Sequence, residues 1–261
     1  MTLSFRVLGS SSSGNATLVS AGDTHVLVDV GLSGRETARR LRECGVGPER
    51  ISAVVISHEH GDHCRGLAPF VKHLEIPVFI AERTLAASGL RLERARLEII
   101  DPGKPFEVYG LLFTPFAVPH DAADPVAFTI EKGGVKVAVV MDLGTISNLA
   151  AERMNGCDGI LLESNHDLGM LRVGPYPWAL KQRVMSRLGH LSNDAVADYL
   201  AHRFDGAAAC VVLAHLSRNN NLPELALRSA RRALEERSPL RSVQTRVDIA
   251  HPDRISALYR F

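Results

Sequence analysis

The chain has few cysteines, no long hydrophobic segment and no excess of charge of either sign. The four cysteines stand far apart, which excludes a redox CxxC motif and a cysteine-rich zinc knuckle; they are Cys44, Cys64, Cys157 and Cys210. No uncharged apolar stretch approaches about 18 residues, and the N-terminus becomes polar before it could form the apolar core of a secretory signal. These absences predict a protein of the reducing cytoplasm with free thiols.

The charge balance excludes a global attraction to polyanions. Lysine and arginine number 30 against 29 aspartate and glutamate, so the formal net charge is +1. Nucleic acid or an anionic membrane would have to be bound by a local patch. The 261 residues, 46% of them hydrophobic, are enough for a sizeable core. We expect one domain, residues 1–261.

The order of hydrophobic patterns predicts an α/β fold with two sheets packed face to face and helices outside. The first half is mostly β-rich: LSFRVLG is followed by NATLVSAGDTHVLVDVG, where Gly22-Asp23 joins two runs as in a hairpin, and ISAVVIS ends at Ser57. A helix is predicted over residues 35–43 after the cap Ser33, and a short one over residues 65–73. After Asp142, helical and strand patterns alternate.

The segment VVISHEHGDHCRG carries the strongest chemical signal. On an extended backbone His58 and His60 point the same way, whereas the neighbours Asp62 and His63 need a change of direction that Gly61 permits. Imidazole and carboxylate suit zinc, iron or manganese, and a second metal about 3.5 to 4 Å away would complete a two-metal hydrolytic site.

Two plainer interpretations of this segment remain. The histidines could lie in a polar surface loop, or they could form a single structural zinc site. Structural zinc sites are usually cysteine-rich and closed, and the segment offers only Cys64, which is typical of a small buried hydrophobe.

The motif HEHGDH resembles the HxHxDH signature of the metallo-β-lactamase superfamily, and further similarities follow in the expected order along the chain. Asp29 in VLVDVG resembles the early aspartate that braces the histidine loop. His120 in FAVPHDAAD, Asp142 in VVMDLG and His215 in VVLAHLS resemble the remaining ligands. Taken alone, His120 could be an ordinary loop histidine and Asp142 the cap of a helix at SNLAAE.

The resemblance implies an αββα four-layer sandwich that binds two divalent cations, Zn²⁺ first, with Mn²⁺ or Fe²⁺ as alternatives. It assigns two ligand sets with one shared residue: His58, His60 and His120 for one metal, Asp62, His63 and His215 for the other, and Asp142 for both.

Two further residues resemble a glutamate and a histidine that help to protonate the leaving oxygen in nuclease branches of the superfamily. Glu163 lies in LLESNHD, and His190 lies in GHLSN, a break between two predicted helices. We predict His190 as general acid and Glu163 as the residue that orients it. The alternative is a solvent-facing glutamate and a helix-capping histidine.

Three residues are predicted to bind substrate. Arg218, three positions after His215, could bind a phosphate bidentately or be an ordinary surface arginine. Asn165 and His166 follow Glu163, and His166 could bind substrate, contact a metal or cap the turn.

The motifs GSSSSGN, HEHGDH, VPHDAADP, LLESNHD, GHLSN and AHLSRNNN together resemble the WalJ/YycJ branch, whose members are regarded as DNA exonucleases acting from the 5′ end. This resemblance implies a dinuclear phosphodiesterase that hydrolyses DNA from 5′ to 3′ with a metal-bridging hydroxide as nucleophile, oriented by Asp62. Clustered basic residues are typical of solvated helix faces, although Lys181, Arg183 and Arg187 precede His190 and could guide a nucleic-acid backbone.

Other functions remain open at this point. A small-molecule hydrolase of the same fold, either a cyclic phosphodiesterase or a thioesterase, is the main rival, because fold does not settle substrate. A non-catalytic metal-bound scaffold is disfavoured because all seven ligand candidates are present. Antibiotic hydrolysis is disfavoured because we find no export signal. Both a monomer and a homodimer are compatible with the sequence.

Overall fold

The computed structural model describes residues 2–92, 95–237 and 244–261. Within these residues fourteen strands form two mixed sheets of seven strands each. The strands are β1 (Leu3–Gly9), β2 (Ala16–Ala21), β3 (Thr24–Val28), β4 (Ala53–Val55), β5 (Pro77–Ala81), β6 (Arg96–Ile100), β7 (Phe106–Val108), β8 (Leu111–Ala117), β9 (Val126–Lys132), β10 (Val135–Val140), β11 (Gly159–Glu163), β12 (Cys210–Ala214), β13 (Arg246–Ile249) and β14 (Tyr259–Arg260).

Nine α-helices accompany the strands in the part of the chain that the structure describes. They are α1 (Gly34–Glu43), α2 (Gly61–Cys64), α3 (Leu67–Val71), α4 (Glu82–Ser88), α5 (Asn148–Met154), α6 (Leu168–Val173), α7 (Trp178–Val184), α8 (Asn193–His202) and α9 (Pro223–Glu235). Among these described helices, none combines the length and apolarity needed to cross a membrane.

The first sheet has the order β14-β1-β2-β3-β4-β5-β6, and the second has the order β13-β12-β11-β10-β9-β8-β7. In the first, β14 to β3 pair antiparallel and β3 to β6 pair parallel. In the second, β7 to β9 are antiparallel and β10 to β13 parallel. The parallel strands β4, β11 and β12 are buried along their whole length, which explains their continuous apolar sequences.

The described residues divide into two compact units. The first contains residues of the ranges 1–117, 122–135 and 251–261, and the second contains those of 118–121 and 136–250. In the first unit, Phe79 of β5 stacks on Phe106 of β7 with ring centroids 5.0 Å apart, so strands of both sheets share one core there. The single-domain interpretation stays a prediction.

Several element boundaries differ from the sequence-based expectation. Of the predicted strand 51–57, only β4 has strand structure; beyond its C-terminal end, the backbone N–H of Ser57 donates to the side chain of Asp29. The helix expected over 65–73 is shorter and follows a separate turn, α2. Helix α1 begins after Ser33, whose hydroxyl accepts the N–H of Glu36, as predicted.

Arg40 of α1 is buried and fastens two distant backbone segments. Its Nη1 donates to the carbonyl of Leu8 at 2.6 Å and to that of Pro252 at 3.0 Å. Leu8 lies at a bulge in β1, where the β1–β2 register shifts between Val7 and Gly9, so Arg40 bonds a carbonyl at the disrupted point of the ladder. The C-terminal segment is thereby tied to the first sheet.

Replacing Arg40 by alanine is expected to lower the free energy of unfolding by about 2 to 4 kcal/mol, because buried carbonyls lose a charged donor. Arg39→Ala is the matched control: Arg39 lies next to it on α1 and also pairs with Glu36, but its side chain is half exposed, so we expect a much smaller loss. Urea unfolding of both variants measures the difference. Equal losses would show that the Arg40 contacts contribute little.

Candidate metal centre

In the first unit, the HEHGDH residues follow the end of β4 and converge. His60 is the N-terminal cap of the short helix α2. This helical turn changes the direction of the chain, so Asp62 and His63 point back toward the end of β4. The ring centroid of His58 lies 4.8 Å from that of His60 and 4.1 Å from that of His63. The Asp62 Oδ2 atom lies 3.7 Å from His63 Nε2. The imidazole and carboxylate groups of the four residues thus lie close together, as the ligands of a metal centre do.

Asp29 braces this loop. Its carboxylate accepts the backbone N–H and the hydroxyl of Ser57, both at 2.8 Å, and His63 Nδ1 at 2.7 Å. Because a carboxylate accepts, His63 carries its proton on Nδ1, and Nε2 is the ring nitrogen with the lone pair. This geometry matches the bracing role that the resemblance implied for Asp29.

Asn15, at the end of the GSSSSGN loop, supports the same histidine and was missed as a site residue by sequence reasoning. Its Nδ2 lies 3.0 Å from His63 Nε2, and its backbone N–H donates to the Asp62 carbonyl at 2.7 Å. Gly31 donates in turn to the Asn15 carbonyl, and a Cβ on Gly31 would lie 1.6 Å from the Asp62 oxygen. Only glycine permits this close approach of three loops. The run of small residues in GSSSSGN is the sequence feature that could have indicated this contact.

In the second unit, four predicted residues form another cluster. One donor atom each from Asp142, Glu163, His190 and His215 lies within 4.8 Å of all the others. Asp142 Oδ1 is 3.2 Å from His215 Nδ1 and 3.3 Å from His190 Nδ1. The ring centroid of His120 lies 5.2 Å from that of His190. The cluster therefore includes every predicted site residue of the second unit except Arg218, Asn165 and His166.

Glu163 lies at the centre of this cluster and is fully buried, so it does not face solvent. It accepts His190 Nδ1 at 2.7 Å and His215 Nδ1 at 2.8 Å, together with the backbone N–H groups of Leu143 and Leu191. Burial acts to raise the pKa of Glu163, but the charge and hydrogen bond of His190 outweigh it and lower this pKa below its usual range. The carboxylate is therefore ionised and orients two histidines rather than the one predicted.

His190 and His120 differ in electrostatic environment. Burial disfavours the charged form of His190, yet the negative charge of Glu163 and their hydrogen bond raise the pKa of His190 above the usual value. Burial lowers the pKa of His120, whose Nδ1 bonds to the Gly189 carbonyl at 3.0 Å. The pair suits a proton donor at His190 and a neutral ligand at His120.

Backbone strain marks the same residues. Among the described residues that are not glycine, four have positive φ, and three of them are Asp29 at 63°, Asp142 at 53° and His215 at 56°. Such conformations cost energy and persist where the surrounding structure requires them, often at functional sites. Each of the three follows the end of a buried strand, where the chain turns to present its side chain.

The residues predicted to bind substrate are placed differently from one another. Asn165 is buried and donates through Nδ2 to the His215 carbonyl at 2.8 Å, so it positions a predicted ligand. His166 is buried as well, and burial lowers its pKa to about 4, which leaves the ring neutral near pH 7. Arg218 is exposed. Substrate binding by these three residues stays a prediction.

The chemistry of the donors fits divalent metals. Imidazole and carboxylate groups make up both clusters, as zinc, manganese or iron sites require. Cys64 does not compete: its Sγ donates to the Glu59 carbonyl at 2.9 Å, and burial raises the pKa of its thiol to about 11. A cysteine-containing structural zinc site is therefore not supported.

Comparison with known proteins identifies the family. The model of the Beta-lactamase superfamily domain matches residues 24–215. Exodeoxyribonuclease YycJ of Bacillus anthracis is 33% identical over 240 residues, covering 91% of each chain. Exodeoxyribonuclease WalJ of Streptococcus pneumoniae is 33% identical over 227 residues, covering 85% of this chain and 84% of WalJ. The metallo-β-lactamase fold protein YhfI of Bacillus subtilis superposes with a TM-score of 0.75 at 17% identity, over the whole of both chains.

These matches confirm the predicted sandwich fold and the predicted class of enzyme, a metal-dependent hydrolase. The chain belongs to the metallo-β-lactamase superfamily and, within it, to the group that includes YycJ and WalJ.

Proposed function

We propose that the chain is a dinuclear metal-dependent phosphodiesterase that degrades DNA from the 5′ end. The observation that carries this proposal is the Glu163–His190 pair, at 2.7 Å, beside the carboxylate of Asp142 and the imidazole of His215. It supplies a proton donor next to groups that bind metal. The names of the two relatives, both exodeoxyribonucleases, support DNA as the substrate.

The proposed ligand assignment follows the family pattern. One metal would be held by His58, His60 and His120 and the other by Asp62, His63 and His215, and Asp142 would serve both. Support comes from the grouping of donor atoms within each unit and from the Nδ1 hydrogen bonds of His63 and His215, which place the lone pair of each ring on Nε2. Zn²⁺ is the first candidate, and Mn²⁺ and Fe²⁺ are the alternatives.

When bound, two divalent metals would supply Lewis acidity and lower the pKa of a water toward about 7. The residues of the chain do the rest. Asp62 orients the attacking water, and the guanidinium of Arg218 binds non-bridging phosphate oxygens. His190 gives a proton to the leaving alkoxide, while ionised Glu163 stabilises the imidazolium and fixes the ring.

His190→Ala is expected to slow phosphodiester hydrolysis by about 10² to 10⁴ while metal content is preserved, because only the proton donor is lost. Turnover of a DNA oligonucleotide, whose leaving group is an alkoxide, and elemental analysis measure the two quantities. His202→Ala is the control, since His202 lies on the same unit with a side chain that is 72% exposed. Loss of metal from His190→Ala would identify His190 as a ligand.

The proposed function is tested by metal analysis followed by incubation with DNA carrying a 5′-phosphate or a 5′-hydroxyl, single- and double-stranded. Mononucleotides released progressively from the 5′ end support the proposal. Internal fragments would indicate an endonuclease, and release from the 3′ end would reverse the polarity. Cleavage of compact esters without any cleavage of DNA would overturn the nuclease.

The near-neutral charge of the chain favours a second candidate, a small-molecule phosphodiesterase or thioesterase. The affinity of a nuclease for its substrate falls steeply as the salt concentration rises. Turnover of a compact ester by a small-molecule hydrolase should stay the same at high salt. The cytoplasmic location stays a prediction.

A further inference from the structure

One segment of the second unit carries positive charge alone. Residues 168–192 contain Arg172, Lys181, Arg183 and Arg187 but no aspartate or glutamate, whereas the whole chain has a net charge of only +1. The segment covers α6 and α7 and ends just past His190. Lys181 is buried and Arg183 forms an ion pair with Asp121, so Arg172 and Arg187 are the two cations that this segment offers to a polyanion.

The same segment exposes large apolar side chains among its arginines. Trp178, the only tryptophan of the chain, is 62% exposed at the start of α7, and Leu188 is 51% exposed. Lys181, by contrast, is buried and donates through Nζ to the Arg172 carbonyl at 2.7 Å, which fastens the end of α6 to α7. We define the α7 surface as the exposed residues Arg172, Trp178, Arg183, Arg187 and Leu188.

The α7 surface is bonded directly to the candidate site. The Leu188 carbonyl accepts the N–H of Asp121 at 3.0 Å, and the Val184 carbonyl accepts that of His190 at 3.0 Å. The side chain of Arg183 pairs with the carboxylate of Asp121, the neighbour of His120. A ligand held on this surface would therefore sit at a fixed position relative to His190.

We propose that the α7 surface binds a single-stranded segment of nucleic acid and leads it to His190. Trp178 stacks on a base, while Arg172 and Arg187 contact the phosphates. Every base has a π-face, so such binding tolerates any sequence, and removing one stacking contact weakens binding by about 10-fold. The charges of Arg172 and Arg187 complement the phosphates of a strand, and the segment that carries them ends just past His190, which favours the nucleic-acid substrate over a protein partner. The inference rests on the proposed nuclease function.

The single tryptophan makes the test direct. The metal-loaded protein is titrated with a 12-nucleotide single-stranded oligo(dT) whose phosphorothioate linkages keep the charge and resist cleavage. We expect the oligonucleotide to quench the tryptophan emission. The quenching should saturate at the same concentration as the anisotropy of a labelled oligonucleotide. Trp178→Ala should weaken binding about 10-fold, and Trp178→Phe should restore most of it. Arg187→Gln should weaken binding and reduce the slope of log K against log salt by about 1.

Arg232→Gln is the matched control, because Arg232 lies on α9 with a 77% exposed side chain paired with Glu236; its affinity should equal that of the parent protein. Binding without quenching, or unchanged affinity of Trp178→Ala, would place the strand elsewhere and overturn the inference. Absence of any binding would also overturn it.

DNA cleavage separates this inference from the proposed function. If the parent protein cleaves DNA and Trp178→Ala keeps the same KM, the inference that the α7 surface binds the strand is wrong and the proposed nuclease function is supported. If the strand binds through Trp178 but no metal supports cleavage, strand binding by the α7 surface is supported and the proposed nuclease function is wrong.

Discussion

Replacing His60 by alanine is expected to abolish turnover, with a loss of at least about 10³-fold, because the metal that His60 would bind in the proposed ligand set would contribute several kcal/mol to the reaction. The ring of His60 packs edge-on against His58 with centroids 4.8 Å apart. Its side chain is only half-buried, so the fold should survive its removal. We therefore expect a folded protein that contains less metal per chain than the parent protein.

Elemental analysis, turnover of bis-p-nitrophenyl phosphate and urea unfolding distinguish these effects. His73→Ala serves as control, since His73 is an exposed histidine of the same unit that has no assigned role. A His60→Ala protein with full metal content and full turnover would contradict the proposed ligand assignment.

Glu163→Gln is expected to reduce turnover by about 10² to 10³ and to lower metal affinity about 10- to 100-fold. The carboxylate accepts four hydrogen bonds, two from imidazoles and two from backbone N–H groups. A glutamine must point its NH₂ group at some of these donors. The two histidines then lose the acceptor that fixes their orientation, and the charge that favours protonated His190 disappears.

The substitution should also lower the free energy of unfolding by about 1 to 3 kcal/mol, because donors remain buried without an acceptor. Metal titration, turnover at saturating metal and urea unfolding separate the three losses. The control is Glu152→Gln on the exposed side of α5. If stability alone fell while turnover and metal affinity stayed unchanged, Glu163 would be structural and the His190 mechanism would be wrong.

Only part of this site could be predicted from the sequence, and the reason is how locally each feature is encoded. The HEHGDH cluster could be predicted, since its residues lie within six positions and the alternation of an extended chain already aims His58 and His60 together. The cap of α1 at Ser33 is equally local. The hydrogen bond from the Ser57 N–H to the Asp29 carboxylate, just beyond β4, could not be predicted, because Asp29 is distant in sequence.

The sequence by itself determined the donor types, their order along the chain and the α/β pattern, because these depend on residue chemistry and short-range periodicity. Tertiary structure alone decided that Glu163 serves His215 as well as His190. The parallel register pairs Glu163 with Ala214, which places the next residue, His215, beside the carboxylate. Tertiary structure likewise brought Asn15 against His63, through loops that close only where Gly31 lacks a side chain. Strand register and the close approach of loops depend on the packing of the folded chain, which no short stretch of sequence encodes.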